Sequence, residues 1–328
     1  MQKKGKIKFK KTANQAEFYA VLRQRVDQYF KEHAIQITGN IHLYFKSFIL
    51  IGGYTACYFL MMYNSWSNGW YYSLSLIMGF LLAGIGMSVM HDANHGSYST
   101  NKTINYLMGY TLNLLGGTVH NWKLQHNILH HTYTNIHGMD DDIEDKLILK
   151  FSPHGKVKWY HKLQPFYVLL FYAILTIYWA TLKDFIQLIK YKKQGLYNLR
   201  GLRLIWLWVR VIISKIVYFT IWIYVPIKLF KLNAEMVLNG FLIMHVFASL
   251  ILSVIFQLAH TVEGTKHPLP ENGSIENDWA IHQINTTANF SNNNQFLTWY
   301  LGGLNFQVEH HLFPKISHIH YPKIVIRK

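Results

Sequence analysis

The stretch Pro165-Phe-Tyr-Val-Leu-Leu-Phe-Tyr-Ala-Ile-Leu-Thr-Ile-Tyr-Trp-Ala-Thr-Leu182 decides the topology of this chain. Lys156, Lys158 and Lys162 precede it, and Lys183, Lys190, Lys192, Lys193, Arg200 and Arg203 follow it. Lysine and arginine concentrate on the cytoplasmic flanks of membrane segments. Two basic flanks therefore place both ends on one side. The segment, about 165–182, is expected to lie in the interface or to re-enter, not to span.

Four other apolar stretches reach the about 20 residues that cross a bilayer. They run over about 44–63, 70–90, 212–230 and 236–258. Asn64-Ser-Trp-Ser-Asn-Gly69 reads as a tight hairpin between the first two, and Lys215 is expected to snorkel to the interface. Four crossings put both termini on the cytoplasmic side. The expected fold is all-α and integral to the membrane, with a cytoplasmic helical domain. Residues 1–40 form a basic N-terminal segment, and 41–328 form one membrane domain. Within the first, Ala13 to His33 reads as an amphipathic helix with Phe18, Leu22, Val26, Tyr29 and Phe30 on one stripe. Such a helix lies on headgroups or packs on the cytoplasmic domain.

Composition agrees. Hydrophobic residues make up 51% of the 328 and charged ones 15%, against about 25% charged in soluble domains. A lone cysteine, Cys57, excludes an intrachain disulfide or a thiolate metal site. The N-terminus is basic from Met1-Gln-Lys-Lys through Lys11, which is not the pattern of a removable signal peptide. The net charge of +16 comes from basic residues that flank apolar segments. That distribution fits anionic membrane lipids and gives no basic face for nucleic acid.

Three histidine clusters border the spans: His91-Asp-Ala-Asn-His95, His126-Asn-Ile-Leu-His130-His131 and Gln307-Val-Glu-His310-His311. On a helix, His91 and His95 share one face a turn apart, and His126 and His130 repeat that spacing. Each such pair is expected to serve one metal. Adjacent histidines diverge by about 100°, so His130-His131 and His310-His311 suit two neighbouring ions. A dinuclear site is the expectation. His260 ends the fourth span as His91 ends the second, which makes it an eighth ligand. His245, roughly 22 Å further along the same helix, is out of reach and reads as a hydrogen-bonded buried histidine or a cavity-lining one. Imidazole alone leaves zinc, copper, iron and nickel open.

Metal-bound imidazoles donate their second N–H to a carboxylate or carbonyl. Candidates are Asp92, Asp140, Asp141 and Asp142, Glu263, Glu309, Asn289 and Asp278.

The three clusters resemble the histidine boxes of the membrane fatty acid desaturases, in the front-end and acyl-lipid branch where glutamine opens the third box. Trp299-Tyr-Leu-Gly-Gly-Leu-Asn-Phe306, Leu312-Phe-Pro314 and His126-Asn-Ile-Leu-His-His-Thr-Tyr-Thr-Asn135 look like that branch too. The resemblance implies a non-haem di-iron enzyme that uses O2 and two electrons to place a cis double bond in an acyl chain, carried on coenzyme A or a phospholipid. By resemblance, His91, His95, His126, His130, His131, His260, His310 and His311 bind the two irons, and Gln307 contacts iron directly or through water. The His-Pro-Gly-Gly motif of a fused haem domain is absent from this sequence, which implies a separate electron donor, ferredoxin or a free cytochrome. Relatives are expected to continue beyond Pro322. A hydroxylase on the same scaffold is the neighbouring alternative. A metal transporter is disfavoured because its ligands belong near the bilayer midplane, and the paired histidines here lie outside the spans.

Overall fold

The computed structural model describes residues 7–10, 12–63, 67–144, 148–197 and 199–325. Among the described residues, four helices are long and apolar enough to cross a membrane: Ile41–Met61, Asn68–His95, Gly201–Leu229 and Ala234–His260. They are spans 1 to 4 below. Part of the expected hairpin, Asn64 to Trp66, lies outside the described residues.

Span 2 is the centre of the bundle. Its most apolar window is 72% buried, against 22–33% for the other three. Small residues let span 4 approach it closely. A Cβ on Gly79 would sit 2.6 Å from the Met244 carbonyl oxygen, and one on Gly240 would sit 2.4 Å from Tyr71 Cε1. Close backbone approach through glycine is how helices associate where no hydrophobic force drives them together. The approach brings the ends of spans 2 and 4, and with them His91, His95 and His260, to the same end of the bundle.

The stretch that decided the topology folds as two helices, Trp159–Ala173 and Leu175–Lys193, bent by 53°. The bend falls at Ile174. There the Thr176 amide donates to Ser249 Oγ at 2.9 Å, and Thr176 Oγ1 lies 2.7 Å from His245 Nδ1. Both partners belong to span 4, well before its end at His260, so the bend sits deep against that helix.

Several helices tighten or widen locally. Ile85–Met90, Lys123–His130, Trp179–Lys183 and Thr220–Leu229 are π-helical, the last around Pro226. Short π segments recur at functional sites, and the first two carry the chain into histidine clusters. Lys215 does not snorkel. Its ammonium turns inward to Asp184 Oδ2 at 2.6 Å, the Trp179 carbonyl at 2.6 Å and the Gly116 carbonyl. Those acceptors replace water, so the charge stays inside.

Outside the bundle, helix Ala13–Glu32 packs Val26 and Phe30 into a core with Phe306, Val308, Leu312 and Tyr321. The amphipathic helix thus rests on the segment that bears the third cluster. Lys8–Phe9 pairs in parallel with Ser274–Ile275, a minor strand contact in a helical protein.

Candidate metal centre

Five elements deliver the histidines. His91 and His95 lie on the last turn of span 2, after its π segment. His126 and His130 lie on the π segment Lys123–His130, and His131 opens the turn after it. His260 is the last residue of span 4. His310 and His311 lie on helix Gln307–Leu312.

They converge in overlapping sets. Candidate donor atoms of His91, His95, His126 and His310 all lie within 4.8 Å of one another. So do those of His130, His260 and His311, and those of His131, His310 and His311. The adjacent pair His310-His311 therefore divides between the first two sets, one residue each, and meets in the third. The pair His126/His130 divides in the same way, although both also fall in a set with Asp142. The two rings stack 5.1 Å apart at 23°, with His126 against His91, Nε2 to Nε2 at 3.2 Å. The spacing rule put both within reach of one centre; the set with Asp142 has them so, while His126 also joins the set of His91 and His95, and His130 that of His260 and His311.

Four outer nitrogens are held, while both ring nitrogens of His131 are buried without a hydrogen-bond partner. His130 Nδ1 lies 3.0 Å from Asp140 Oδ2, His311 Nδ1 2.8 Å from Gln283 Oε1, His310 Nδ1 3.2 Å from the Tyr321 hydroxyl and His260 Nδ1 3.4 Å from the Thr286 carbonyl. The inner nitrogens are orphaned. Nε2 of His95, His130, His131, His310 and His311 is buried without a hydrogen-bond partner. Each unsatisfied buried polar atom costs about 1–3 kcal/mol. An ion among them removes that penalty at several atoms at once, and an all-imidazole set suits iron as well as zinc, copper or nickel.

Electrostatics keeps these donors neutral. Burial, reinforced by neighbouring imidazoles, pushes His126, His131, His310 and His311 well below the ordinary histidine value of 6.5. A neutral imidazole is the form that binds metal. At His130 burial also acts downward, but the Asp140 and Asp142 carboxylates outweigh it and the net shift is upward.

Among the proposed carboxylate and amide partners, Asp140 reaches a box histidine, and its oxygens also accept from the Asn135 and Asp142 amides. Asp142 lies 3.6 Å from His126 Nδ1 and 3.7 Å from that of His130. Asp92 turns instead to Ser317 and His318, at 2.8 and 2.9 Å. Asp141 holds Lys190 and the Tyr191 hydroxyl, and Glu263 is exposed. Asn289 caps the third box: its amide donates to Glu309 at 2.8 Å and its oxygen accepts from the Val308 amide at 2.9 Å. Asp278 caps helix Trp279–Thr286. The Gln307 amide donates to the Leu304 carbonyl at 2.8 Å. Gln283, Tyr321 and His318 gave no signal in the sequence, because each reaches the site through tertiary contact alone. His245 is buried between Thr176 and the Tyr218 hydroxyl, a hydrogen-bonded histidine away from the cluster.

A cavity of about 730 Å³ opens against the histidines, with His91, His126, His260, His310 and Gln307 on its wall. The rest of its lining is mostly apolar and reaches along span 4 to Leu252 and along the bent pair to Phe171. An apolar pocket running from a nitrogen-lined head into a helix bundle is shaped for a hydrocarbon chain.

Residues 64–327 match the family described as fatty acid desaturase. The chain belongs to that family. It is 34% identical to an sn-1 linoleoyl-lipid 6-desaturase of Arthrospira platensis, over 94% of this chain and 83% of the relative. A Synechocystis protein of the same name is 34% identical, over 94% and 85%. An acyl-lipid (8-3)-desaturase of Physcomitrium patens is 34% identical, over 98% and 68%. This desaturase is accordingly an oxidoreductase that acts on fatty acyl chains.

Proposed function

We propose that the protein introduces a cis double bond into the acyl chain of a membrane lipid, at a pair of iron ions held by the eight histidines. His91, His95, His126 and His310 would hold one ion and His130, His260 and His311 the other, with His131 beside both. The single observation that carries this reading is the row of orphaned Nε2 atoms facing one another, with held Nδ1 atoms behind those of His130, His310 and His311.

When bound, a pair of redox-active irons supplies the O2-dependent hydrogen removal that an unactivated methylene demands and no side-chain acid or base can perform. The protein's own part is positioning. Asp140, Gln283 and Tyr321 orient imidazoles from behind, and orientation of this kind fixes tautomer and geometry. The apolar cavity threads the acyl chain past the histidines and excludes water. Gln307, on the cavity wall beside His310, is placed to contact an ion directly or through water.

We place both termini and the histidines on the cytoplasmic side. The basic flanks of the bent pair and its deep contact with span 4 support re-entry, which leaves four crossings. The division into an N-terminal segment, 1–40, and a membrane domain, 41–328, belongs to the same reading, as does a separate electron donor such as ferredoxin or a free cytochrome. The acyl-lipid names of the relatives favour a phospholipid or other glycerolipid substrate over acyl-CoA. Expression in a host of defined lipid composition, with double bonds located by mass spectrometry, tests the proposal. A new cis double bond supports it; a hydroxy-acyl product would transfer the assignment to a hydroxylase, and no change in any acyl chain would refute it.

A further inference from the structure

The bent pair Trp159–Ala173 and Leu175–Lys193 supplies one wall of the cavity, through Phe171, Ile174, Leu175, Tyr178 and Leu182 among others. Interdigitated apolar side chains resist sliding of such a re-entrant wall, and buried polar contacts add a directional constraint on how far it is inserted. Thr176, one residue beyond the first lining residues of the second arm, is fully buried, as are His245 and Ser249 of span 4. Thr176 Oγ1 lies 2.7 Å from His245 Nδ1 and 2.7 Å from Ser249 Oγ, and the Thr176 amide donates to Ser249 Oγ at 2.9 Å. The Tyr218 hydroxyl of span 3 closes the cluster, 2.6 Å from His245 Nε2. Within a bilayer these groups have no water to turn to, so the arrangement has one satisfied register.

The cluster lies at the deep end of the cavity. On span 4 the lining runs from His260 back to Leu252, about 12 Å at 1.5 Å per residue. Ser249 and His245 follow within the next two turns. We infer that Thr176 and His245 are positioning residues that set the depth of the acyl cavity, and so select which methylene pair rests against the histidines. This inference rests on the desaturase reading above and extends it to the choice of carbon.

The test compares wild type with Thr176→Val, which keeps the shape and removes the hydroxyl, and with Thr176→Ser, which keeps the hydroxyl. Each is expressed in the same lipid background, and the double-bond positions and iron per chain are measured. Thr176→Val is expected to lose roughly tenfold in positional selectivity, the effect of one buried hydrogen bond, with iron content unchanged. Thr176→Ser is expected to retain the wild-type position. Ser249→Ala, a smaller deletion from the same cluster, serves where the valine variant does not accumulate, and is expected to shift the distribution in the same direction. An unaltered distribution in an active Thr176→Val protein, or in Ser249→Ala, overturns the inference. So does loss of iron with the double bond left in place, which would make the cluster merely structural. A wild-type protein that forms no double bond overturns the desaturase reading itself, and this inference with it.

Discussion

Asp140→Asn is the substitution that probes the histidine cage most sharply. The Asp140 carboxylate is 1% exposed. One oxygen lies 3.0 Å from His130 Nδ1 and 3.0 Å from the Asn135 amide nitrogen, and the other accepts from the Asp142 amide at 2.9 Å. Asparagine keeps the shape and removes the charge. It also places an NH2 group where two donors already point, or leaves the Asp142 amide facing it. The carboxylate that offsets burial at His130 is lost, so the imidazole becomes a poorer base and a less firmly oriented one. Removing such a partner weakens metal binding about 10–100-fold, equivalent to about 1.4–2.7 kcal/mol. Chelator competition on the iron-loaded, detergent-solubilised protein reads that change directly, with the exposed Glu263→Gln as the control expected to match wild type. An Asp140→Asn protein that gives up iron no faster and no more completely than wild type would refute the reasoning.

Alanine at His95, His130 or His310 is expected to abolish product while the protein still accumulates in membranes; retained turnover removes that residue from the ligand set. Gly86 lines the cavity, and a Cβ added there would sit 3.0 Å from the core residue Leu115 and 3.5 Å from the cavity-lining Leu252, so a larger side chain has room only toward the cavity or by displacing Leu252 into it. Gly86→Leu should therefore lower kcat/KM for the longest acyl chains about tenfold or more relative to shorter ones, as a competition assay with mixed chain lengths would show. Lys215→Met leaves the Asp184 carboxylate buried without its cation and should cost about 3–5 kcal/mol, seen as a lowered Tm that Asp184→Asn partly restores in the double variant. The depressed values at His126, His131, His310 and His311 mean that the folded metal-free chain binds fewer protons than the unfolded one below about pH 6.5. Its Tm should then fall as pH drops below that point, and a flat profile would contradict the burial argument.

The sequence carried the bundle and the cluster unevenly. Each span was legible because a bilayer demands an unbroken apolar run, and the observed helices differ from the expected ones mainly at their ends, by up to eleven residues for Gly201–Leu229. The extension there includes amphipathic turns that hydropathy alone passes over. Lys215 was misread because an ammonium inside a span is satisfied by Asp184 and two carbonyls from distant segments, and no local pattern announces them. Histidine spacing pointed to the residues that meet, since i, i+4 pairs and adjacent pairs constrain direction on a helix. It did not show that His126 and His130, besides sharing a set with Asp142, would each also join a different set of histidines. The supporting residues were less legible still. Asp140 lies ten positions from His130, yet Gln283 and Tyr321 come from separate elements with no spacing to link them to a box, and Asp92 was drawn away by Ser317 and His318.

The most direct measurement is the metal content of the purified protein, made under iron-replete conditions and quantified together with protein by elemental mass spectrometry. Two sets of donors, His91/His95/His126/His310 and His130/His260/His311, predict two irons per chain, with a Mössbauer spectrum of nitrogen-rich sites. A single zinc, or no bound metal, in protein that is folded and membrane-inserted would contradict the account.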